Sequence, residues 1–490
     1  GLVLDGWVNS GSAATTIRRS AAGTIGVGDG AGDLSLSRDE LARITAASLD
    51  VGGTNTTGID VSGVTLDDLA NIRGLVRLDA GGAGGVVQFG GSTSVFRSLE
   101  VAAVDGVSVN ASVATAAGGS LTINADADGA GAGTLSVANG ASITASGGPI
   151  SITAADLALD GMLNADSVAI AVSNNNDITL GGSTAPVVGR MTISDAEFGR
   201  INARTLSLGD AAAGGSITVE AITTGRSDTA PDSVTLNATR NGSHVDINGD
   251  LLVKGLTIRS NNGIVVGGDI DASGDLSLNG DTDNFIDSVD GITIAAGRTL
   301  TSGGLMTLAS TTGGIVATGN ITLSAADLEL VDALHAAGYT VTISRSTKGT
   351  IGLGTAEGDM TITGEELARI TAGDLVLGGD TTTLITVSGV SAEDSDKISG
   401  VLRLDALADA GKIRFEDGAS TFNALEANAN DGILVAARIT TDVGRLALDG
   451  DADGEAGSDD RVTLEEGVNL TSAGGLSVLA QTGGILLTGG

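Results

Sequence analysis

The stretch Glu357–Asp380, EGDMTITGEELARITAGDLVLGGD, occurs three times in variant form. Leu34–Gly53 reads LSLSRDELARITAASLDVGG, and Met191–Asp210 reads MTISDAEFGRINARTLSLGD. The first copy maps onto the third without a gap, so that Glu40 corresponds to Glu366 and Arg77 to Arg403. Self-similarity of this kind restricts the chain to architectures that stack like units.

The modules implied are 1–155, 156–326 and 327–490. They open on Leu2–Gly6 (LVLDG), Leu157–Gly161 (LALDG) and Leu328–Asp332 (LELVD). No Pro-rich or Ser-rich linker separates them, so they are expected to run on as one body. Within the second module, short alternating pieces such as Ser167–Val172 (SVAIAV), Thr205–Leu208 (TLSL) and Asp275–Leu278 (DLSL) lie between Gly, Asn, Asp and Ser clusters. Alternation over four or five residues is the signal of a half-buried strand. Strands this short, inside a module repeat, favour an all-β solenoid, a parallel β-helix with coils of about 20 residues.

Composition supports that choice. Aromatic residues make up 2% of the chain although 41% is hydrophobic, and 77 of the 490 residues are Gly against 3 Pro. A narrow interior lined by Val, Ile, Leu, Ala and Thr has little room for rings. Gly permits positive φ at corners, and Pro would interrupt the ladders. Phe89 and Phe96 recur as Phe415 and Phe422, and read as plugs in a wider turn of the coil rather than as ligand contacts. The second module has no equivalent pair.

The triplet Glu-x-x-Arg-Ile occurs at Glu40/Arg43/Ile44, Glu197/Arg200/Ile201 and Glu366/Arg369/Ile370. It reads as one helical or 3₁₀ turn between strands, with Glu and Arg paired at i,i+3 and Ile tucked inward. An exposed ionic patch repeated along the solenoid is the functional counterpart.

The pieces Gly358–Gly364 (GDMTITG), Gly373–Gly379 (GDLVLGG), Gly274–Gly280 (GDLSLNG) and Gly303–Ile315 (GGLMTLASTTGGI) resemble the filamentous-haemagglutinin-like β-helix repeats of giant bacterial surface proteins. Those proteins include two-partner-secretion adhesins and autotransporter-like chains. The resemblance extends over the whole sequence. It implies a right-handed parallel β-helix, secreted to the bacterial cell surface, that forms a stalk or filament.

Little in the sequence points to catalysis. The net charge is −35 with no Cys, which disfavours nucleic acid and anionic membranes as partners and rules out thiol chemistry. No G-x-S-x-G, P-loop or HExxH is present. His244 and His335 fall in non-equivalent places and read as solvated rung residues. A polysaccharide-processing β-helix needs paired carboxylates in an aromatic-lined groove. Here the acids are spread over all modules, and Trp7 and Tyr339 are the only Trp and Tyr. No catalytic residue is assigned.

One pattern does suggest an ion. Asn124-x-Asp126-x-Asp128-Gly129 matches Asn279-x-Asp281-x-Asp283-Asn284 and Asp449-x-Asp451-x-Asp453-Gly454. Oxygens at alternate positions before a sharp turn form the front half of a calcium loop, whose twelfth position carries an acid. Asp290 and Asp460 stand there in the second and third modules, and Leu135 in the first. The candidate calcium ligands are therefore Asn279, Asp281, Asp283 and Asp290, and Asp449, Asp451, Asp453 and Asp460. A solvated Asx turn is the competing account.

The expected function is a non-enzymatic extracellular rod, the repeat region of a large surface protein. The alternative is an adhesin module that contacts host or bacterial glycan through one face. Ser227–Asp232 (SDTAPD) and Arg240–His244 (RNGSH) are the module-specific pieces that would serve it. The first also reads as an insertion correcting the coil register, and the second as an Asn-Gly turn. Further copies of the repeat are expected as partners, in the same chain or end to end, because open strand edges invite pairing. The alignment of Gly490 with Asn320 and of Gly1 with Asp327 suggests a window on a longer array.

Overall fold

A computed structural model describes residues 2–174, 176–182, 189–212, 214–285 and 289–488. Gly1 and Gly490, on which the window reading rests, lie outside the described residues. The chain divides into two compact units, Gly1–Val245 with Leu252–Lys254, and Asp246–Leu251 with Gly255–Gly490.

In the first unit, apolar residues two apart on each short strand turn inward and stack on their counterparts in the next coil. Leu49, Val76, Leu99, Leu121, Ile150, Val168, Leu206 and Val234 form one such column through parallel pairing. Val51, Leu78, Val101, Ile123, Ile152, Ile170, Leu208 and Leu236 form a second. Every member of both columns is buried. A further ladder runs from Ile25 through Ile59, Val87, Val107 and Leu135 to Leu157. The fold is a parallel β-helix, built as the alternation requires.

The second unit repeats the plan. Ile321, Val341, Leu375, Leu402, Leu425 and Leu446 make one buried column, and Ile264, Ile292, Ile315, Leu334 and Ile370 another. At each module junction one ladder runs on, Ser142–Ala154 pairing with Met162–Val172 in the first unit and Ile321–Ala325 with Leu334–Arg345 in the second, while the ladders that reach Asp156 and Asp327 end on those strands. Ile44, Ile201 and Ile370 occupy equivalent places. Each is buried and pairs with an apolar residue of the module's opening region: Val8, Leu163 and Leu334.

The coils are less regular than a 20-residue period. Along the column from Leu49 to Val234, successive members lie as close as Ile150 and Val168 and as far apart as Val168 and Leu206. The longer coil holds a helical turn and corner loops. Strands also merge. Ser142–Ala154 pairs with Val113–Thr115 in its first half and with Leu121–Asn124 in its second, with a register shift between Ala145 and Pro149. Leu334–Arg345 does the same in the second unit.

Phe89, Phe96, Phe415 and Phe422 are buried in the interior. Phe89 stacks between Val61 and Val109 in one ladder. The second module has Phe198, also buried, in place of Leu41 and Leu367 on its helical turn. Gly26 and Gly352 show why this interior needs glycine. A Cβ there would stand 2.1 Å from the Gly30 carbonyl oxygen and 2.2 Å from that of Ala356.

Candidate functional site

Two sets of polar residues recur at equivalent corners. The first is the Glu-x-x-Arg motif. It forms helical turns α1 (Arg38–Ala42), α2 (Asp195–Phe198) and α3 (Gly364–Arg369). Each begins with a capping box, in which Ser37, Ser194 or Thr363 accepts from the N–H of Glu40, Glu197 or Glu366 and the Glu carboxylate accepts in return. That exchange satisfies helix donors that would otherwise be orphaned.

The remaining oxygen of each Glu leaves the turn. Oε1 of Glu40 accepts from Leu4 N–H at 3.1 Å, that of Glu197 from Leu159 N–H at 2.9 Å, and that of Glu366 from Leu330 N–H at 3.3 Å. The matching arginines take the carbonyls of the same leucines. Arg200 donates to Leu159 and Arg369 to Leu330, both at 2.9 Å, and Arg43 donates to Leu4. The expected i,i+3 pairing of Glu with Arg is therefore corrected. Among the described residues no ion pair joins them, and both side chains reach back instead to the segment that opens their module, which is a strand at Leu159 and Leu330.

The reason lies in the sheets. Asp156–Leu159 and Asp327–Leu330 are terminal strands of their ladders, so one edge offers backbone groups without a neighbouring strand. A carboxylate and a guanidinium supply the acceptor and donor that a strand would have supplied. Asp156 and Asp327 add to this by accepting from the N–H groups of Thr192 and Thr361. Burial acts to raise the Glu40 carboxyl. The Ser37 and Leu4 hydrogen bonds and the Arg43 charge outweigh it and hold the group below its ordinary value. At Asp156 burial wins, and its carboxyl lies above its ordinary value.

The second set is the acidic corner. The sharp-turn residues behave as the pattern requires, with φ of +66° at Gly129, +56° at Asn284 and +67° at Gly454. Four of the eight candidate calcium ligands close local turns. Asn279 and Asp449 accept from the N–H groups of Asp281 and Asp451, and Asp283 and Asp453 from those of Phe285 and Glu455. The other four meet in pairs. Asp281 and Asp290 share the Thr312 hydroxyl at 2.7 and 3.3 Å. Asp451 accepts from Thr482 N–H at 2.5 Å, and Asp460 from the Thr482 hydroxyl at 2.7 Å. Asp281, Asp290, Asp451 and Asp460 are all buried. Among the described residues no group of three or more acidic, His or Cys side chains has the arrangement to hold a metal ion.

Counting twelve positions misleads in the first module. Leu135 is a core residue of Thr134–Val137, not a corner residue, because this loop is shorter than the other two. There Asp126 accepts from Gly131 N–H at 2.9 Å and from the Ser173 hydroxyl. Burial acts to raise the Asp126 carboxyl, and the Ser173 and backbone hydrogen bonds outweigh it and lower it.

Motif reading missed Thr312, Thr482 and the leucine backbones. The threonines were visible in the repeated Thr-Gly-Gly-Ile of Thr312–Ile315 and Thr482–Ile485. His335 is exposed on a strand, pairing with Val316 and Thr371, and His244 is exposed beside Ser216. The Ser227–Asp232 insertion folds onto neighbouring coils through Thr229 to the Gly199 carbonyl and Lys254 to the Ala230 carbonyl. Arg240–His244 is a turn, with Ser243 N–H on the Arg240 carbonyl and Gly242 at φ +82°. It joins strands of two different sheets and so makes a corner rather than a hairpin. No family model matches this chain, and neither a curated protein nor a solved structure with significant similarity to it was found.

Proposed function

We propose that the chain is a non-enzymatic structural segment, the stalk or filament repeat region of a large bacterial surface protein of the filamentous-haemagglutinin-like kind. The observation that carries this reading is the Glu–Arg clamp, repeated in all three modules on the backbone of the module-opening leucine. Apart from the capping hydroxyls of Ser37, Ser194 and Thr363, its hydrogen bonds go to the chain's own main chain. In the second and third modules the clamp secures a place where a ladder ends, which a segment bearing load along its coils needs most. Its place outside the cell rests on the sequence resemblance, and the acidic surface suits a chain that must stay dispersed there.

Pulling the 490-residue chain from its ends in a force spectrometer tests the proposal. A structural segment extends in successive steps of coil size at high force, since each coil leans only on its neighbours. Extension at low force without such steps would overturn it. Saturable binding to a glycan array, lost on substitution of residues on one face, would favour the adhesin reading instead.

A further inference from the structure

Placing a carboxylate out of water is costly unless each oxygen finds a donor or a cation. Asp451 and Asp460 are 3% and 5% exposed. Oδ2 of Asp451 accepts from Thr482 N–H and Oδ2 of Asp460 from the Thr482 hydroxyl, and Gly457 N–H also donates to Asp460 Oδ2 at 2.6 Å. The Oδ1 of each is buried and has no hydrogen-bond partner. Nearby cationic side chains are engaged elsewhere. Lys412 lies 3.2 Å from Asp431, and Arg461 3.2 Å from Asp459. Gly457 lets the main chain approach Asp460 closely, for a Cβ there would stand 2.3 Å from Asp460 Oδ1.

We propose that this corner binds a hard divalent cation, of the calcium or magnesium class, between Oδ1 of Asp451 and Oδ1 of Asp460. The donors are all oxygen, which suits such ions and not soft metals. A pair of carboxylates serves an ion that keeps much of its water, and affinity of about 0.1–1 mM follows, the range of weak extracellular sites. The arrangement of two acids on one threonine recurs at Asp281, Asp290 and Thr312. Ion binding relieves the repulsion between the two carboxylates and ties the corner loop Gly450–Arg461 to the following coil through Thr482.

Hydrogen exchange on the whole chain, stripped with chelator, tests this. It is run in CaCl₂ or MgCl₂ at about ten times the dissociation constant, against KCl of equal ionic strength. Amides of 451–460 and of Thr482 are expected to exchange about tenfold more slowly with at least one of the two ions. The corner at Asp126, which lacks the second acid, should not change. The variant Asp460→Asn should lose the response while exchanging no faster than the parent in chelator. An equal slowing at both corners, no slowing with either ion, or a full response in Asp460→Asn would overturn the site. Should the variant fail to fold, the contrast between the two corners of the parent chain decides alone. The calcium and magnesium arms identify the ion.

Discussion

Arg369 donates to the carbonyl of Leu330 at 2.9 Å, across 39 residues of chain. Leu330 ends the edge strand Asp327–Leu330, and Glu366 takes its N–H. One residue's backbone is thus held on both its donor and its acceptor by side chains three apart on a single helical turn. The same relationship at Leu159 and Leu4 accounts for the spacing of the repeated motif. Glu and Arg must lie on one face of the turn, as i and i+3 do.

Removing one arm of the clamp should loosen the module-opening strand. Arg369→Met leaves the Leu330 carbonyl without its donor and should cost about 1–3 kcal/mol. Glu366→Ala removes the cap as well and should cost at least as much, whereas Glu366→Gln keeps an acceptor oxygen and should cost less. Hydrogen exchange within 327–330 reads the effect. Unchanged protection there in Arg369→Met would show that the clamp does not hold the edge.

Acid should weaken the fold through specific groups. Burial acts to raise the Asp195 carboxyl, but hydroxyl and N–H groups of Thr223 and Thr224 more than offset it and hold it below its ordinary value. Its contribution is complete above about pH 4 and is lost as pH falls through its lower, folded value. Denaturation followed from pH 7 downward should show Asp195→Ala approaching the parent in stability at the acid end.

Asp405 runs the other way. Burial pushes its carboxyl above its ordinary value, against the hydrogen bond from Asn428 and the charge of Arg403. The folded chain holds this proton at a pH where the unfolded chain has released it. The charged form therefore weakens the fold at neutral pH, and the loss is recovered as pH falls through the raised value, above about 4. Asp405→Asn should be at least as stable as the parent at pH 7 and lose that advantage in acid. A less stable variant at pH 7 would contradict the account.

Inward and outward positions of one strand should respond very differently. Ile150 sits buried between Leu121 and Val168, while Ser151 beside it is exposed. Ile150→Ala should cost about 2–5 kcal/mol, and Ser151→Ala should stay within about 0.5 kcal/mol. Urea unfolding separates them. The damage from Ile150→Ala should be confined to adjoining coils, because coupling in stacked repeats is to nearest neighbours.

Two glycines distinguish close approach from backbone conformation. Gly352 faces the Ala356 carbonyl at 2.2 Å from an ideal Cβ, whereas Gly338 has φ +81° with nothing within 4 Å. Gly338→Ala should cost about 1–2 kcal/mol of left-handed strain. Gly352→Ala must move main chain and should cost about 1–3 kcal/mol or more, with protection lost at 349–363. Equal, small effects would show the coil interior to be more yielding than its spacing implies.

Period-2 alternation, abundant corner residues and a long internal repeat were enough to read a parallel β-helix from the chain alone, because inward aliphatics at i and i+2 can be buried together only on a strand face. The equivalence of Ile44, Ile201 and Ile370 followed from their shared place in the repeat. So did the left-handed residues Gly129, Asn284 and Gly454, since few residue types tolerate that conformation. What joins distant segments was not legible. Glu366 and Arg369 are adjacent on a turn, and sequence spacing suggests that they pair with each other. Only the ending of a ladder at Leu330 leaves a backbone N–H and carbonyl whose demand for partners outweighs an exposed ion pair. In the same way, twelve-residue counting placed Asp460 near Asp451 but could not foresee Thr482 from the next coil between them. That meeting depends on which corner of one coil lies over which corner of the next, and the stacking register, set by loops of unequal length, decided it.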